Sequence, residues 1–427
     1  MESHLASNNL HEPLQSAYRK VHSTETALLR VQNDILESLD SGRVAMLVLL
    51  DLSAAFDTLD HQTLLQRFKH HFGIDGKPLA WITSYLSDRY QTVMINGELS
   101  KPVQLKHGVP QGSVLGPKLY VMYTKPLGNL IRRHQLDHHF YADDTQLYLA
   151  FKPSDSISQL DALTRMESCL ADIESWMTKN MLKLNSAKTE VMLFASKHNI
   201  GSLKDITVNV GEAAVKPSSQ ARNLGVIFDS SMTMEQQVNS ICRSCYGQLR
   251  NIGHIRRYLT NDATKSMVNG LVTSRLDYCN ALLYGLPNLL LKKLQRVQNT
   301  AARIITRTSR HSHITPVLHD LHWLPIKARL DYKILTYTYK AIHDQAPAYM
   351  SEMVQVYQPV RSLRSQNTIT LVVPRTKTAT YGTRSYHAAA PSLWNALPSN
   401  IRESKTLVTF KKSLKTHLFL TYYDSAQ

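Results

Sequence analysis

Only four of the 427 residues are cysteine, too few for a disulfide framework in a chain of this size. Cys242-Arg243-Ser244-Cys245 has the spacing of half a zinc site, but Cys169 and Cys279 form no second pair, so reduced thiols on a helix are the better reading. Long apolar runs are missing too. None approaches the roughly 20 residues that span a bilayer, and the polar opening from Met1 to His11 is no secretory signal. The expectation is a soluble intracellular protein, in the nucleus or cytoplasm, with no membrane partner. No internal repeat or low-complexity tract stands out. Acidic residues are scarce where the chain ends: residues 292–427 hold 20 Lys or Arg against 6 Asp or Glu, so this stretch carries +14 of the formal net charge of +16. A basic region attached to a nearly neutral one is the footprint of a nucleic-acid grip, although a merely solvated surface would look the same.

What the chain does have is a pair of adjacent carboxylates in Phe140-Tyr141-Ala142-Asp143-Asp144, followed by the strand-like Thr145-Gln146-Leu147-Tyr148-Leu149. Polar and apolar positions alternate on both sides, which predicts two short strands with Ala142 to Asp144 near the turn. Adjacent carboxylates repel, and hard oxygen ligands of this kind suit Mg²⁺ or Mn²⁺. Taken alone, the pair reads more readily as a solvated turn than as a metal site. A third acid alters that balance. Val44-Ala45-Met46-Leu47-Val48-Leu49-Leu50 is continuously apolar and of strand length, a strand buried on both faces that delivers Asp51 at its end. One acid from a buried strand and two from a hairpin is what two-metal phosphoryl transfer needs.

Several blocks in order then resemble the polymerase of non-LTR (LINE-type) retrotransposons. Leu50-Asp51-Leu52-Ser53-Ala54-Ala55-Phe56-Asp57 resembles the first palm motif of that family and Gly108-Val109-Pro110-Gln111-Gly112-Ser113-Val114-Leu115-Gly116-Pro117 the second. Tyr141-Ala142-Asp143-Asp144 is similar to its catalytic hairpin, Leu184-Asn185-Ser186-Ala187-Lys188-Thr189-Glu190 to the fourth motif, and Leu224-Gly225-Val226 to the primer-grip turn. The match covers about residues 15 to 230. Gln15-Ser16-Ala17-Tyr18-Arg19 is similar to the segment preceding the first motif, with Ala17 where Gly is usual.

The resemblance implies an α+β fold: a right-hand polymerase palm, an antiparallel sheet with packed helices, followed by a helical thumb and a basic C-terminal region. The expected segments are a residual fingers region at 1–43, the palm at 44–230, a thumb-like region at 231–310 and the basic region at 311–427. It further implies an RNA-directed DNA polymerase acting on an RNA template, a DNA primer and deoxynucleoside triphosphates. Asp51 and Asp143 would bind two Mg²⁺ ions, with Mn²⁺ an alternative, Asp144 would assist and the Leu52 carbonyl would add a ligand. Phe56 would exclude a 2′ hydroxyl, Gln111, Gly112 and Tyr141 would line the nucleotide and template pocket, Arg19 would contact nucleotide or template, and Lys188 would protonate pyrophosphate. Family members carry fingers and an endonuclease upstream, and here Asp51 comes so early that the chain is expected to polymerise poorly. A degenerate copy that binds RNA or hybrid without polymerising is the alternative. A cyclase or nuclease on the same palm would not explain the Gly108 to Pro117 block.

The remaining expectations concern the scaffold. A helix should start near Asp60 with Leu64, Phe68 and Phe72 on one face and Gly73 as its stop, and a second near Pro78. Asn96-Gly97 predicts a tight hairpin. Residues 156–179 should form an amphipathic helix with Leu160, Leu163, Leu170, Ile173 and Trp176 or Met177 inward, capped by Asn180. From about 232 the chain should be mostly helical. At 100° per residue, Lys292, Arg296, Arg303, Arg307 and Arg310 fall on one side, opposite Leu294, Val297, Ala301, Ile304 and Ile305, a basic stripe for nucleic-acid backbone or a solvated face. Residues 360–392 look irregular.

Overall fold

The computed structural model describes residues 1–53, 56–110, 112–196, 198–199, 201, 203, 206–358 and 369–424, with Ser53 and Asp424 described by backbone alone. The chain is a mixture of helices and short strands, and the pairs of known register are antiparallel. It divides into two compact units, one of Met1–Lys20, Ala45–Leu193 and Asn199–Ser218, the other of Val21–Val44, Phe194–His198 and Ser219–Gln427. This packing cuts across the segments expected from sequence.

In the first unit a four-stranded sheet runs in the order Glu190–Phe194, Val44–Leu50, Asp144–Phe151, Asp137–Tyr141. The continuously apolar Val44–Leu50 is an inner strand and almost wholly buried, as a run without alternation requires. Asp60 opens the helix His61–Phe72 by accepting from the Thr63 N–H, and Gly73 closes it in the left-handed region, with Leu64, Phe68 and Phe72 buried. An N-cap of this kind stabilises by about 1 kcal/mol. The second helix is Gly76–Leu86. Asn96 and Gly97 both have positive φ, the geometry of the tight turn between Met94–Ile95 and Glu98–Leu99.

The helix Ser156–Lys179 has Asn180 as its C-cap, but its buried stripe is Ala162, Met166, Cys169, Leu170, Ile173 and Met177. Leu160, expected inward, is exposed, because it lies about 200° around the helix from Ala162. Leu163 and Trp176 are half-buried.

The second unit is largely helical. Its helix Thr24–Asp40 begins with a capping box between Ser23 and Thr26. Glu25 accepts from the Ala281 N–H and the Tyr337 hydroxyl and pairs with Lys333 at 3.2 Å, while Asp40 accepts from the backbone of Lys377 and Thr378. Residues 21–44 are therefore built into this unit by tertiary contacts that no local pattern announces. Trp394, Tyr339, Phe410 and Leu414 sit in one core cluster. The four cysteines are free.

Two expectations need correction here. The helix Asn288–Thr306 ends before the basic stripe does: Arg307 is its C-cap at φ 56°, so Arg310 lies beyond it and off its face. Part of the irregular region is also ordered, since the Ala388-Ala389-Ala390 run supports a helix over Tyr386–Asn395, whereas 359–368 lie outside the described residues. Among the described residues no helix is long and apolar enough to cross a membrane.

Candidate active site

The hairpin Asp137–Tyr141 and Asp144–Phe151 pairs Tyr141 directly with Asp144, leaving Ala142 and Asp143 as a two-residue turn. Ala142 has φ 56°, a left-handed conformation in which a side chain is unfavourable and glycine is the usual occupant. Gln15 supplies the compensation. Its buried amide accepts from the Ala142 N–H at 3.0 Å and donates to the Ala142 carbonyl at 3.2 Å, and the backbone on either side is held by Phe140 N–H to Leu14 and Ser16 N–H to Phe140. Gln15 is 2% exposed. The turn that presents Asp143 is thus clamped from a segment distant in sequence.

Asp51 ends the strand next to Asp144–Phe151 in the sheet. The proximity of the acids is legible in their ionisation. Burial, then the Asp143 charge, then that of Asp51, push the Asp144 carboxyl up to about 6, although by area the residue keeps an exposed edge. Asp143 is raised by burial, partly offset by a backbone hydrogen bond, and further by Asp51. On Asp51, the Asn185 side chain donates to Oδ2 at 3.3 Å, and the Lys188 ammonium lies 3.5 Å from the same oxygen. The Asn185 N–H also holds the Asp51 carbonyl at 2.9 Å. Leu52 pairs opposite Leu184 in a two-residue ladder, so the stretches matched to the first and fourth motifs are stitched together.

Phe56 packs on Tyr120 with centroids 4.7 Å apart. Tyr120 is buried, and burial together with Asp143 and Asp144 raises its hydroxyl well above the usual range, which brings the ring to the same acids. The backbone after Phe56 is fixed to the glycine-rich loop: Val109 N–H donates to the Phe56 carbonyl and Gly108 N–H to the Leu59 carbonyl. Gly108, at φ 81°, has no room for a side chain, since a Cβ there would stand 2.7 Å from the Asp57 carbonyl oxygen. Gly112 is exposed at φ 77°, and Gln111 lies outside the described residues.

Other expected residues stand elsewhere. The Arg19 guanidinium donates to the carbonyls of Glu12, Pro13 and Gln15. Tyr141 is half-buried in the hairpin. In the second unit, Leu224 and Gly225 form a tight turn between Gln220–Asn223 and Val226–Asp229, with the Tyr278 hydroxyl on the Leu224 carbonyl. On the helix Asn288–Thr306, Lys292 and Arg296 are exposed, but Arg303 donates to the carbonyls of Ser309, Arg310 and Ser312, and Arg307 to that of Arg256. The sequence reading assigned no role to Gln15, Asn185 or Tyr120, although the first two lie inside the family-like stretches and the third stands just after one.

Among the described residues no three His, Cys, Asp or Glu side chains converge as a finished ligand set for one ion. The donor chemistry nonetheless fits a hard divalent cation: carboxylates only, two of them held above their ordinary range by burial and by the charge of neighbouring acids, and an ammonium already drawn to the third.

Residues 1–228 match the family described as reverse transcriptase (RNA-dependent DNA polymerase). The chain belongs to that family, in its LINE-type branch. It is 27% identical over 367 residues to the probable RNA-directed DNA polymerase from transposon BS of Drosophila melanogaster, covering 82% of this chain and 38% of that protein. Against the RNA-directed DNA polymerase from mobile element jockey of the same organism it is 27% identical over 232 residues, 53% of this chain and 24% of the relative. The chain therefore spans well under half the length of these relatives. Among solved structures, apo telomerase from Candida tropicalis aligns with 77% of this chain and 54% of its own at 12% identity and a TM-score of 0.41, too loose to bear on function.

Proposed function

We propose that this chain carries the polymerising centre of a LINE-type reverse transcriptase and extends a DNA primer on an RNA template. The observation that supports it best is that Asp51, Asp143 and Asp144 stand near enough at the sheet end for their charges to act on one another, with Lys188 3.5 Å from Asp51. The roles are assigned by segment: residues 1–43 as remaining fingers, 44–230 as palm, 231–310 as thumb and 311–427 as basic nucleic-acid grip, in an intracellular protein.

Asp51, Asp143, Asp144 and the Leu52 carbonyl would hold two Mg²⁺ ions, with Mn²⁺ able to replace them. When bound, such a pair lowers the cost of an attacking alkoxide and neutralises charge on the phosphate. In the reaction the primer 3′ hydroxyl gives up its proton to solvent, and its oxygen bonds to the α-phosphorus of the nucleotide as the bridge to the β-phosphate breaks. Lys188, released from Asp51, gives its proton to the departing pyrophosphate. Phe56, backed by Tyr120, forms the floor that a ribose 2′ hydroxyl would strike. Gln111, Gly112 and Tyr141 line the nucleotide and template pocket, and Leu224 to Val226 steady the primer end. Lys292 and Arg296 meet phosphates, with Arg303, Arg307 and Arg310 contributing charge nearby.

A second reading, a remnant that binds RNA or RNA–DNA hybrid without polymerising, draws on the absence of a finished ligand set among the described residues and on Arg19 being engaged by its own loop. Primer extension on an RNA template with Mg²⁺ separates the two. Extension that falls at least about a thousandfold in Asp143→Asn supports the enzyme; binding without extension supports the remnant. In an active protein, Phe56→Val should admit ribonucleotides more readily.

A further inference from the structure

The helix Gly76–Leu86 buries Ile82 and Leu86 and turns Trp81 outward, 59% exposed. One turn on, the Tyr85 ring lies parallel to the indole, with 8° between the planes and centroids 6.0 Å apart. Past the end of the helix, where Ser87 is extended and Asp88 has φ 51°, the Arg89 guanidinium sits 5.4 Å from the Tyr85 centroid. Within the helix a spacing of four residues aligns the two rings, whereas the turn after Ser87 returns Arg89 to them. The result is a column of two rings and a cation that is supported on one side and ends in an open indole.

Arg89 is also a wall of a cleft of about 520 Å³, shared with Gln91, His107 and the loop Gly108 to Pro110. The column therefore leads away from the loop matched to the second motif. The segment that carries it has a basic surplus: between Gly76 and His107 stand Lys77, Arg89, Lys101 and Lys106 against Asp88 and Glu98.

We propose that Trp81, Tyr85 and Arg89 form a stacking platform for unpaired bases of a single nucleic-acid strand, continuous with the cleft at Arg89. Every base presents a flat π face, so a base laid on the indole prolongs a parallel column, and such stacking tolerates any sequence. The guanidinium at the far end and the basic surplus provide for phosphates, which a purely protein-binding aromatic patch would not need. That the strand is the unpaired template ahead of the duplex rests on the polymerase reading; the platform itself does not.

The test uses the full chain and three labelled probes: a 12-nucleotide single-stranded RNA, a template–primer with an unpaired 5′ template extension, and the same duplex cut blunt. Trp81→Ala should weaken the first two roughly tenfold and the blunt duplex less than twofold, with an unchanged thermal midpoint. Trp81→Phe, which keeps a ring, should recover most of the loss. Unchanged affinity for the single strand would overturn the proposal, as would equal loss on the blunt duplex. Unchanged affinity accompanied by loss of self-association in sedimentation would overturn it in favour of a protein contact, a role that Met94, Ile95 and Leu99 on the neighbouring ribbon also suit. Failure of the wild-type chain to extend a primer, with the Trp81 effect intact, would remove the polymerase reading and leave the platform standing.

Discussion

The strand Asp137–Tyr141 serves two carboxylate sites that differ in almost every respect. Near its start, His138 approaches Glu12 at 3.4 Å, an ion-pair distance rather than a well-formed hydrogen bond, and Arg132 grips the same carboxylate through both oxygens. Glu12 is 3% exposed. Burial alone would raise its carboxyl, but the contacts with His138 and Arg132 outweigh it and bring it down to about 2. Gly128 leaves the space the carboxylate occupies. At the strand's other end, burial and neighbouring acids push Asp144 up to about 6. The first site is balanced within the chain. The second is short of positive charge, and a shortage held in place by a clamped turn marks a site that something else completes.

The link between the sites is the segment that carries both Glu12 and Gln15, and breaking it should have the largest effect. Gln15→Ala removes both bonds to Ala142 and leaves a left-handed alanine without its support. In a protein that extends primers, we expect a fall of roughly a hundredfold in rate, the size of effect that small misplacement of a reacting group produces. The cost should appear in kcat more than in KM, because Gln15 is a positioning residue. A variant with wild-type kcat would mean that the turn holds its shape without the clamp.

The next largest effect should come from Glu12→Gln. It leaves Arg132 and His138 with a neutral partner, and because Arg132 is partly exposed the cost should be about 2–3 kcal/mol rather than that of a fully buried pair. Urea unfolding measures it. The pH dependence follows from the same group. Its folded value near 2 lies below the ordinary 4.5, so its contribution is present above pH 4.5 and is lost as pH falls through 2. The stability difference between wild type and Glu12→Gln should therefore shrink between those limits. A difference that stays constant down to pH 2 would show that the pair does not set the ionisation of Glu12.

These contrasts also explain how much could be read in advance. Asp51, Asp143 and Asp144 were legible because a buried strand and a hairpin are local patterns, and carboxylates at their ends are conspicuous. The Asp60 cap and the Asn96-Gly97 turn were legible for the same reason. The clamp by Gln15 was not, since its partner lies 127 residues away, and the family-like stretch that Gln15 opens says nothing of which backbone its amide meets. Glu12 was overlooked likewise. The basic stripe failed in the opposite way: periodicity continued to Arg310, but the helix stopped at Thr306, and Arg303 turned to the carbonyls beyond it. Periodicity records which residues could share a face, not where the backbone leaves it.

The smallest effect sharpens the comparison most. Where Glu12→Gln destabilises, Asp144→Asn should stabilise the protein in the absence of divalent ions. The folded value of Asp144, about 6, lies above the ordinary 3.8, so the folded state favours the neutral acid; that advantage is present below pH 3.8 and is lost as pH rises through 6. At pH 7.5 the ionised group therefore works against folding, and an amide does not. Because Asp144 has an exposed edge, water screens much of the repulsion, and the gain should be about 1 kcal/mol rather than the full equivalent of the shift. Added Mg²⁺ should raise the thermal midpoint of the wild type at pH 7.5 through preferential binding to the folded state, and raise that of Asp144→Asn less. The two carboxylates would then respond to neutralisation with opposite signs. If Asp144→Asn instead loses stability without ions, its charge is already balanced inside the chain, and the contrast with Glu12 fails.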